Sequence, residues 1–154
     1  MPRLDVGDTA PDFKLPDQEG ESISLDAMRG RRVVIYFYPA DDTPGCTKEA
    51  CQFNDVLGSF AEIDAEVFGI SPDGADSHRR FRSKYGLGLT LLSDVDHHVM
   101  ESYGAWGEKT LYGRKSIGVI RSTFVVGPDG RIEHAWYNVR ADGHAAKVLE
   151  AVGA

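Results

Sequence analysis

Cysteine is scarce in this sequence, with two among 154 residues and no Cys-x2-Cys spacing. A disulfide-stapled secreted scaffold is thereby excluded, and the usual thiol–disulfide exchange motif and the common zinc spacings are absent. Long apolar runs are missing as well: Val33–Tyr38 stops far short of the roughly 18 residues that suggest a membrane span. The start, Met1-Pro-Arg-Leu-Asp-Val-Gly-Asp8, has no apolar signal-peptide core. Nor is there a surplus of positive charge, since 17 Lys and Arg stand against 24 Asp and Glu for a net charge of −7. That balance argues against a general binder of phosphate backbones. Gly86-Leu-Gly88 lacks the third glycine of the dinucleotide fingerprint, position 91 being Leu91, and no Walker lysine motif occurs. Without repeats, low-complexity tracts or a Pro/Gly/Ser-rich linker, the chain reads as a single domain over residues 1–154. It is expected in the cytoplasm, with neither nucleic acid nor membrane as partner.

What is present is an alternation of strand-like and helix-like segments. Phe13-Lys-Leu15 and Ser22-Ile-Ser-Leu25 flank the turn-rich Pro16-Asp-Gln-Glu-Gly20 and predict a small N-terminal hairpin. Val33–Tyr38 has the continuous apolar, β-branched and aromatic pattern of a central strand covered on both faces. Cys46, Ala50, Phe53, Leu57 and Phe60 then trace one apolar stripe of a helix. Val67–Ser71 predicts a strand, followed by a polar helix over about 75–85, a short strand over 90–93 and a helix over about 97–103. Val119–Val126 and Arg131–Tyr137 flank the turn Gly127-Pro-Asp-Gly130 and predict an antiparallel hairpin. A last helix can begin at an Asp142 N-cap, with Ala145, Val148, Leu149 and Val152 inward. This order describes an α/β protein, a thioredoxin-like three-layer sandwich with a mixed central sheet and an extra N-terminal hairpin.

Chemistry concentrates where the central strand stops, in Pro39-Ala-Asp-Asp-Thr-Pro-Gly-Cys-Thr-Lys-Glu-Ala-Cys51. Thr43 suits an N-cap and Pro44 the first helical position, which puts Cys46 in the first turn, where backbone N–H groups have no helical partner. Unpaired donors and the positive helix end favour a thiolate, the nucleophilic form. Asp41 and Asp42 oppose that effect, so a cation from elsewhere is expected. Arg121 is the candidate, because it lies inside the apolar run Val119–Val126, where a guanidinium needs an anionic partner. Cys51 follows Cys46 by five positions; on an ideal helix their Cα atoms are about 8.6 Å apart. A disulfide needs less than about 7 Å, so pairing requires the helix to unwind.

These residues carry a resemblance. Pro39-x3-Thr43-x2-Cys46 resembles the active-site motif of peroxiredoxins. The Cys-x4-Cys spacing and the stretches Tyr103-Gly-Ala-Trp-Gly-Glu-Lys109, Tyr112-Gly-Arg-Lys115 and Ile120-Arg-Ser-Thr-Phe124 are similar to the peroxiredoxin Q, or bacterioferritin comigratory protein, subfamily. The similarity runs along essentially the whole chain from Gly7-Asp-x-Ala-Pro-Asp-Phe13. It implies a thiol peroxidase that reduces hydrogen peroxide and organic hydroperoxides without metal, haem or flavin. Cys46 matches the peroxidatic cysteine, which becomes a sulfenic acid, and Cys51 the resolving one, which captures it as an intramolecular disulfide. Thioredoxin or a similar dithiol would reduce that bond, and a resolving partner within the chain makes a monomer the default. Thr43 and Arg121 match the groups that polarise the peroxide, Pro39 the one that shields the sulfur from water, and Glu49 a position that orients the arginine. Ala40 stands where many relatives carry lysine, which leaves Arg121 more of the burden.

Each of these residues has a plainer reading. Cys46 alone on an apolar stripe is more often a buried core cysteine; Cys51 can be an incidental helix residue, Thr43 only a cap, and Arg121 a strand residue paired at the surface. Gly104–Gly118, with Trp106, Leu111, Tyr112 and Ile117, fits either a mobile apolar collar around the site or a simple connection. His97-His98 lacks metal-ligand spacing and reads as solvated, as does the basic segment His78–Lys84. A thioredoxin-type oxidoreductase and a non-enzymatic redox-sensing or binding protein remain the alternatives to the peroxidase.

Overall fold

The computed structural model describes residues 3–111 and 113–153, without the side chain of Leu111. Strands β1 (Lys14–Pro16) and β2 (Ser22–Ser24) pair antiparallel as the expected N-terminal hairpin, and a single 3-10 turn at Asp26–Met28 leads into β3 (Arg32–Phe37). Helices α1 (Pro44–Asp55) and α2 (Leu57–Glu62) lead to β4 (Ala65–Ser71), and α3 (Ala75–Tyr85) leads to β5 (Thr90–Ser93). The short α4 (His98–Ser102) is followed by β6 (Trp106–Leu111) and β7 (Arg114–Val119), then β8 (Ser122–Val126), β9 (Ile132–Trp136) and α5 (His144–Gly153).

The central sheet has the order β5-β4-β3-β8-β9. β3, β4 and β5 run parallel, while β8 and β9 pair antiparallel, so the sheet is mixed. The unbroken apolar run of β3 is explained by its central place. Val33, Ile35 and Phe37 face one core with Phe68, Ile70, Leu92 and Phe124, covered by the N-terminal hairpin, α4 and Tyr103. Val34 and Tyr36 face the other, with Val67, Leu91 and Val125, covered by α1, α2, α3 and α5. Both parallel crossovers advance the same way across the sheet, so their right-handedness places α1 and α3 on one side.

Four expectations are corrected. The stripe Cys46–Phe60 does not belong to one helix, because the chain breaks at Val56 (φ −109°, ψ 12°) and restarts as α2, still placing Phe60 in the core. The run Val119–Val126 is not one strand. Val119 pairs with Trp106, whereas Ser122 pairs with Phe37, so the chain changes sheets at Ile120 and Arg121. There the Ile120 N–H donates to the Ala105 carbonyl at 2.7 Å and the Arg121 carbonyl accepts from the Val139 N–H at 3.0 Å. Gly104–Gly118 is not an irregular loop: it is built on the antiparallel β6–β7 hairpin, whose Ile117 is 73% exposed. Tyr112 and the Leu111 side chain lie outside the described residues. Finally, Asp142 does not cap α5, which begins at His144; its carboxylate accepts from the Gln52 side chain at 2.8 Å. Among the described residues no helix is long and apolar enough to cross a membrane.

Candidate active site

The loop 38–43 carries the chain from β3 into α1. Thr43 stands at the N-cap position with extended backbone, and Pro44 opens the helix. The Thr43 hydroxyl does not cap, however: it donates to the Ala40 carbonyl at 2.9 Å and so braces the loop instead. The first rung of the helix ladder runs from the Thr47 N–H to the Thr43 carbonyl, at 2.8 Å. The N–H of Cys46 lies ahead of that rung and is not spent on the helix.

Cys46 is buried, only 1% exposed, and Arg121 reaches it from the sheet junction. Arg121 Nη2 lies 3.2 Å from Cys46 Sγ, and its Nη1 donates to Glu49 Oε1 at 2.5 Å. The switch of sheets at Arg121 is what turns this side chain toward α1. The guanidinium also passes close to the helix start, since a Cβ at Gly45 would stand in van der Waals contact with Arg121 Nη2, at 3.4 Å. The expected anion beside the guanidinium is thus present twice, as Glu49 and as the sulfur. Burial works against the Arg121 cation, yet Glu49 and Cys46 together hold its pKa above the ordinary value. Glu49 is fully buried; desolvation lifts its carboxyl to about 7, although Arg121 pulls the other way. Its second oxygen, Oε2, has no hydrogen-bond partner among the described residues.

Cys51 lies on the same helix as Cys46, half-buried, and both thiols are free. Burial, and then Asp55, push the Cys51 thiol up. Pro39 is half-buried in the loop before Thr43. Arg121 therefore contacts both Cys46 and Glu49, Pro39 and Thr43 lie in the loop that leads to Cys46, and Cys51 stands apart along an intact helix.

Several neighbours escaped the sequence reading. Asp41 and Asp42 do not face the sulfur unopposed. Asp41 accepts from Tyr38, at 2.5 Å, and from Ser77, at 2.8 Å, and contacts His78, while Asp42 accepts from Lys84 at 2.7 Å and Tyr85 at 2.6 Å. His78 is therefore no solvated residue but fully buried, and its spacing of three from Phe81 on α3 was the available signal. His144, also buried, places Nε2 2.8 Å from Thr123 Oγ1, and burial, with Lys147 and Arg121 adding to it, lowers its pKa to about 4. His97 stacks on Trp106 with ring centroids 3.7 Å apart, whereas His98 is exposed beside Asp96.

A thiol, an arginine and a carboxylate assembled at a helix start, on a mixed sheet of this order, invite comparison with known proteins. The AhpC/TSA family model matches residues 6–135. The chain belongs to the AhpC/TSA family. A putative peroxiredoxin of Mycobacterium tuberculosis is 55% identical over 146 residues, spanning 95% of this chain and 93% of that one. Peroxiredoxin Bcp of Escherichia coli is 43% identical over 149 residues, spanning 97% and 96%. The structure of a Xylella fastidiosa PrxQ mutant superposes with a TM-score of 0.92 at 36% identity, covering 99% and 98% of the two chains. These AhpC/TSA relatives are of the Bcp and peroxiredoxin Q kind, and they share the thioredoxin-like architecture. Family membership supports thiol peroxidase activity for this chain, with a peroxide as substrate and a thiol as reductant.

Proposed function

We propose that the protein reduces hydrogen peroxide and organic hydroperoxides through Cys46, resolves the product through Cys51, and is recycled by thioredoxin or a similar dithiol. The observation that carries this reading is the 3.2 Å contact between Arg121 Nη2 and Cys46 Sγ, with Glu49 bound behind the guanidinium. The Cys46 thiolate attacks the terminal peroxide oxygen; an S–O bond forms as the O–O bond breaks, leaving a sulfenic acid and an alkoxide or hydroxide that takes a proton from water. Negative charge moves from sulfur to the departing oxygen along that path. Arg121 and the unspent N–H of Cys46 are fixed donors beside it, which is where preorganised charge lowers a barrier. The Thr43 hydroxyl, having given its hydrogen to Ala40, keeps lone pairs that can accept from the hydroperoxide O–H. Pro39 shields the sulfur from water.

Resolution is the attack of the Cys51 sulfur on the Cys46 sulfenic acid, forming a disulfide and releasing water. Because both residues sit on α1, at an ideal separation of about 8.6 Å, the helix must open first. The electrons come from thiols, so the cycle calls for no metal, haem or flavin. With the resolving thiol in the same chain, we propose a monomer acting as one domain over residues 1–154, in the cytoplasm. Alkyl peroxide reduction is named for the bacterioferritin comigratory protein of Xanthomonas campestris, which supports organic hydroperoxides as substrates here.

The deciding experiment mixes reduced protein with one equivalent of hydrogen peroxide and follows peroxide loss and intact mass. Rapid loss with formation of one internal disulfide is expected, abolished in Cys46→Ser and arrested as sulfenic or sulfinic adduct in Cys51→Ser. A wild-type protein that reacts no faster than a free thiol overturns the peroxidase reading in favour of a redox-sensing or binding role.

A further inference from the structure

We propose that His78 is a positioning residue for the reaction: from α3 it supplies the counter-charge to Asp41 in the acidic loop that leads to Cys46. The inference rests on Cys46 being the reacting thiol. Asp41 precedes Cys46 by five residues, in the loop that opens into α1, and a bare carboxylate there would disfavour a thiolate. Its side chain is only 4% exposed, and that of His78 is fully buried. Asp41 Oδ1 accepts from the Tyr38 hydroxyl at 2.5 Å; its Oδ2 accepts from Ser77 Oγ at 2.8 Å and lies 2.7 Å from His78 Nδ1.

The decisive detail is the other ring nitrogen. His78 Nε2 lies 3.1 Å from the carbonyl oxygen of Leu92 in β5. A carboxylate and a carbonyl can only accept, so a ring that satisfies both contacts carries a hydrogen on each nitrogen, which is the cationic form. A neutral ring would set one lone pair against another acceptor in a buried site, an arrangement proteins avoid. Around this pair stand Asp73, which accepts from the Asp41 N–H at 2.8 Å and from Ser71 at 2.9 Å, and the α3 cations Arg80 and Lys84, which line a cleft with Asp41 and Asp42. Arg121 from the sheet junction touches the Cys46 sulfur, and the buried Tyr36 hydroxyl of β3 feels the charges of Cys46, Glu49 and Asp41 together, which puts the Asp41 carboxylate in the same buried surroundings as the thiol. A cation for this loop is thus supplied from α3, buried where salt screens it little.

The test reads Cys46 without peroxide. In a Cys51→Ser background, Cys46 is the only thiol, and its alkylation by iodoacetamide is followed against pH. His78→Gln keeps an amide able to donate to Asp41 but carries no charge, and should move the alkylation midpoint upward by about half to one pH unit. Adding Asp41→Asn to His78→Gln should return the midpoint to that of the background. In the otherwise native chain, the peroxide rate at pH 7 should fall severalfold with His78→Gln and recover in the double variant. An unmoved midpoint in His78→Gln, or a double variant displaced as far as the single one, overturns the proposal. Should His78→Gln fail to fold, nitrogen NMR of the wild-type ring decides instead: two protonated ring nitrogens at pH 7 are expected, and one overturns it. A protein that shifts its alkylation midpoint as expected yet leaves peroxide untouched would retain this inference while the peroxidase reading falls.

Discussion

Gln52 holds Asp142 across the gap between α1 and α5, its Nε2 donating to Asp142 Oδ1 at 2.8 Å while its Oε1 accepts from the neighbouring Gly143 N–H, also at 2.8 Å. The amide is adjacent to Cys51 in sequence. Any unwinding of α1 that swings Cys51 toward Cys46 strains or breaks this two-point tie.

Gln52→Ala is therefore expected to speed disulfide formation and to reduce sulfinic overoxidation at a given peroxide excess, as read by intact mass across a peroxide titration. Loss of the two bonds should reduce stability by about 0.5–1.5 kcal/mol in denaturant unfolding. An overoxidised fraction equal to or above that of the wild type would show that the tie does not limit resolution.

Arg121→Lys should slow the peroxide reaction by about a hundredfold. A single ammonium cannot donate to Glu49 and reach the sulfur in the forked manner of a guanidinium. The check is the second-order rate of reduced protein with peroxide by stopped flow, and a loss below threefold would contradict the role given to the fork.

Much of this was legible from residues alone, for identifiable reasons. β3 declares itself by an unbroken apolar and β-branched run, α3 by a polar stretch set between two strand-like segments, and Cys46 is placed by the Thr43-Pro44 helix start. The need for an anion at Arg121 followed from charge in an apolar run, and Glu49 fills it. The change of sheets at Ile120 and Arg121 was hidden, because apolar continuity records burial and not which strand supplies the partner. β6 mixes glycine, charge and threonine, so no alternation marked it as a strand. Asp142 looked like a cap because local rules cannot see a competing donor 90 residues away in sequence.

Two buried groups give the stability opposite slopes with pH. Glu49, raised to about 7 from 4.5, binds its proton more tightly when folded, so its contribution is full below about 4.5 and is lost as pH rises through about 7. His144, lowered to about 4 from 6.5, binds its proton less tightly when folded, so its contribution is full above about 6.5 and is lost as pH falls through about 4. Between these limits they offset one another. Glu49→Gln should leave a stability that rises with pH from about 4 to 6.5, and His144→Gln one that falls from about 4.5 to 7, measured by denaturant unfolding at a series of pH values. Slopes of the same sign in the two variants would refute this assignment.

Gly69 in β4 lies under the Tyr36 ring. A Cβ there would stand 2.8 Å from Tyr36 Cζ and hydroxyl oxygen and 3.0 Å from Leu91 Cδ2. Tyr36 in turn stacks on Phe53 of α1 with centroids 4.6 Å apart. Gly69→Ala should destabilise the fold by about 1–3 kcal/mol and, by pushing Tyr36 against α1, alter the peroxide rate as well. Thermal unfolding paired with stopped flow checks both, and full retention of stability would show that the ring has room to move.

The break at Val56 bears on how far a disturbance spreads. Were α1 and α2 one rod, opening the turns between Cys46 and Cys51 would tug on Phe60 and, through it, on the sheet. As built, α1 ends at Asp55 and the backbone turns at Val56, so Phe60 keeps its seat in the core on a separate short helix. The rearrangement proposed between Cys46 and Cys51 would thereby stay within the 12 residues of α1. In the proposed cycle the chain would thus change shape at one end of a helix while the sheet junction that carries Arg121 stays in place.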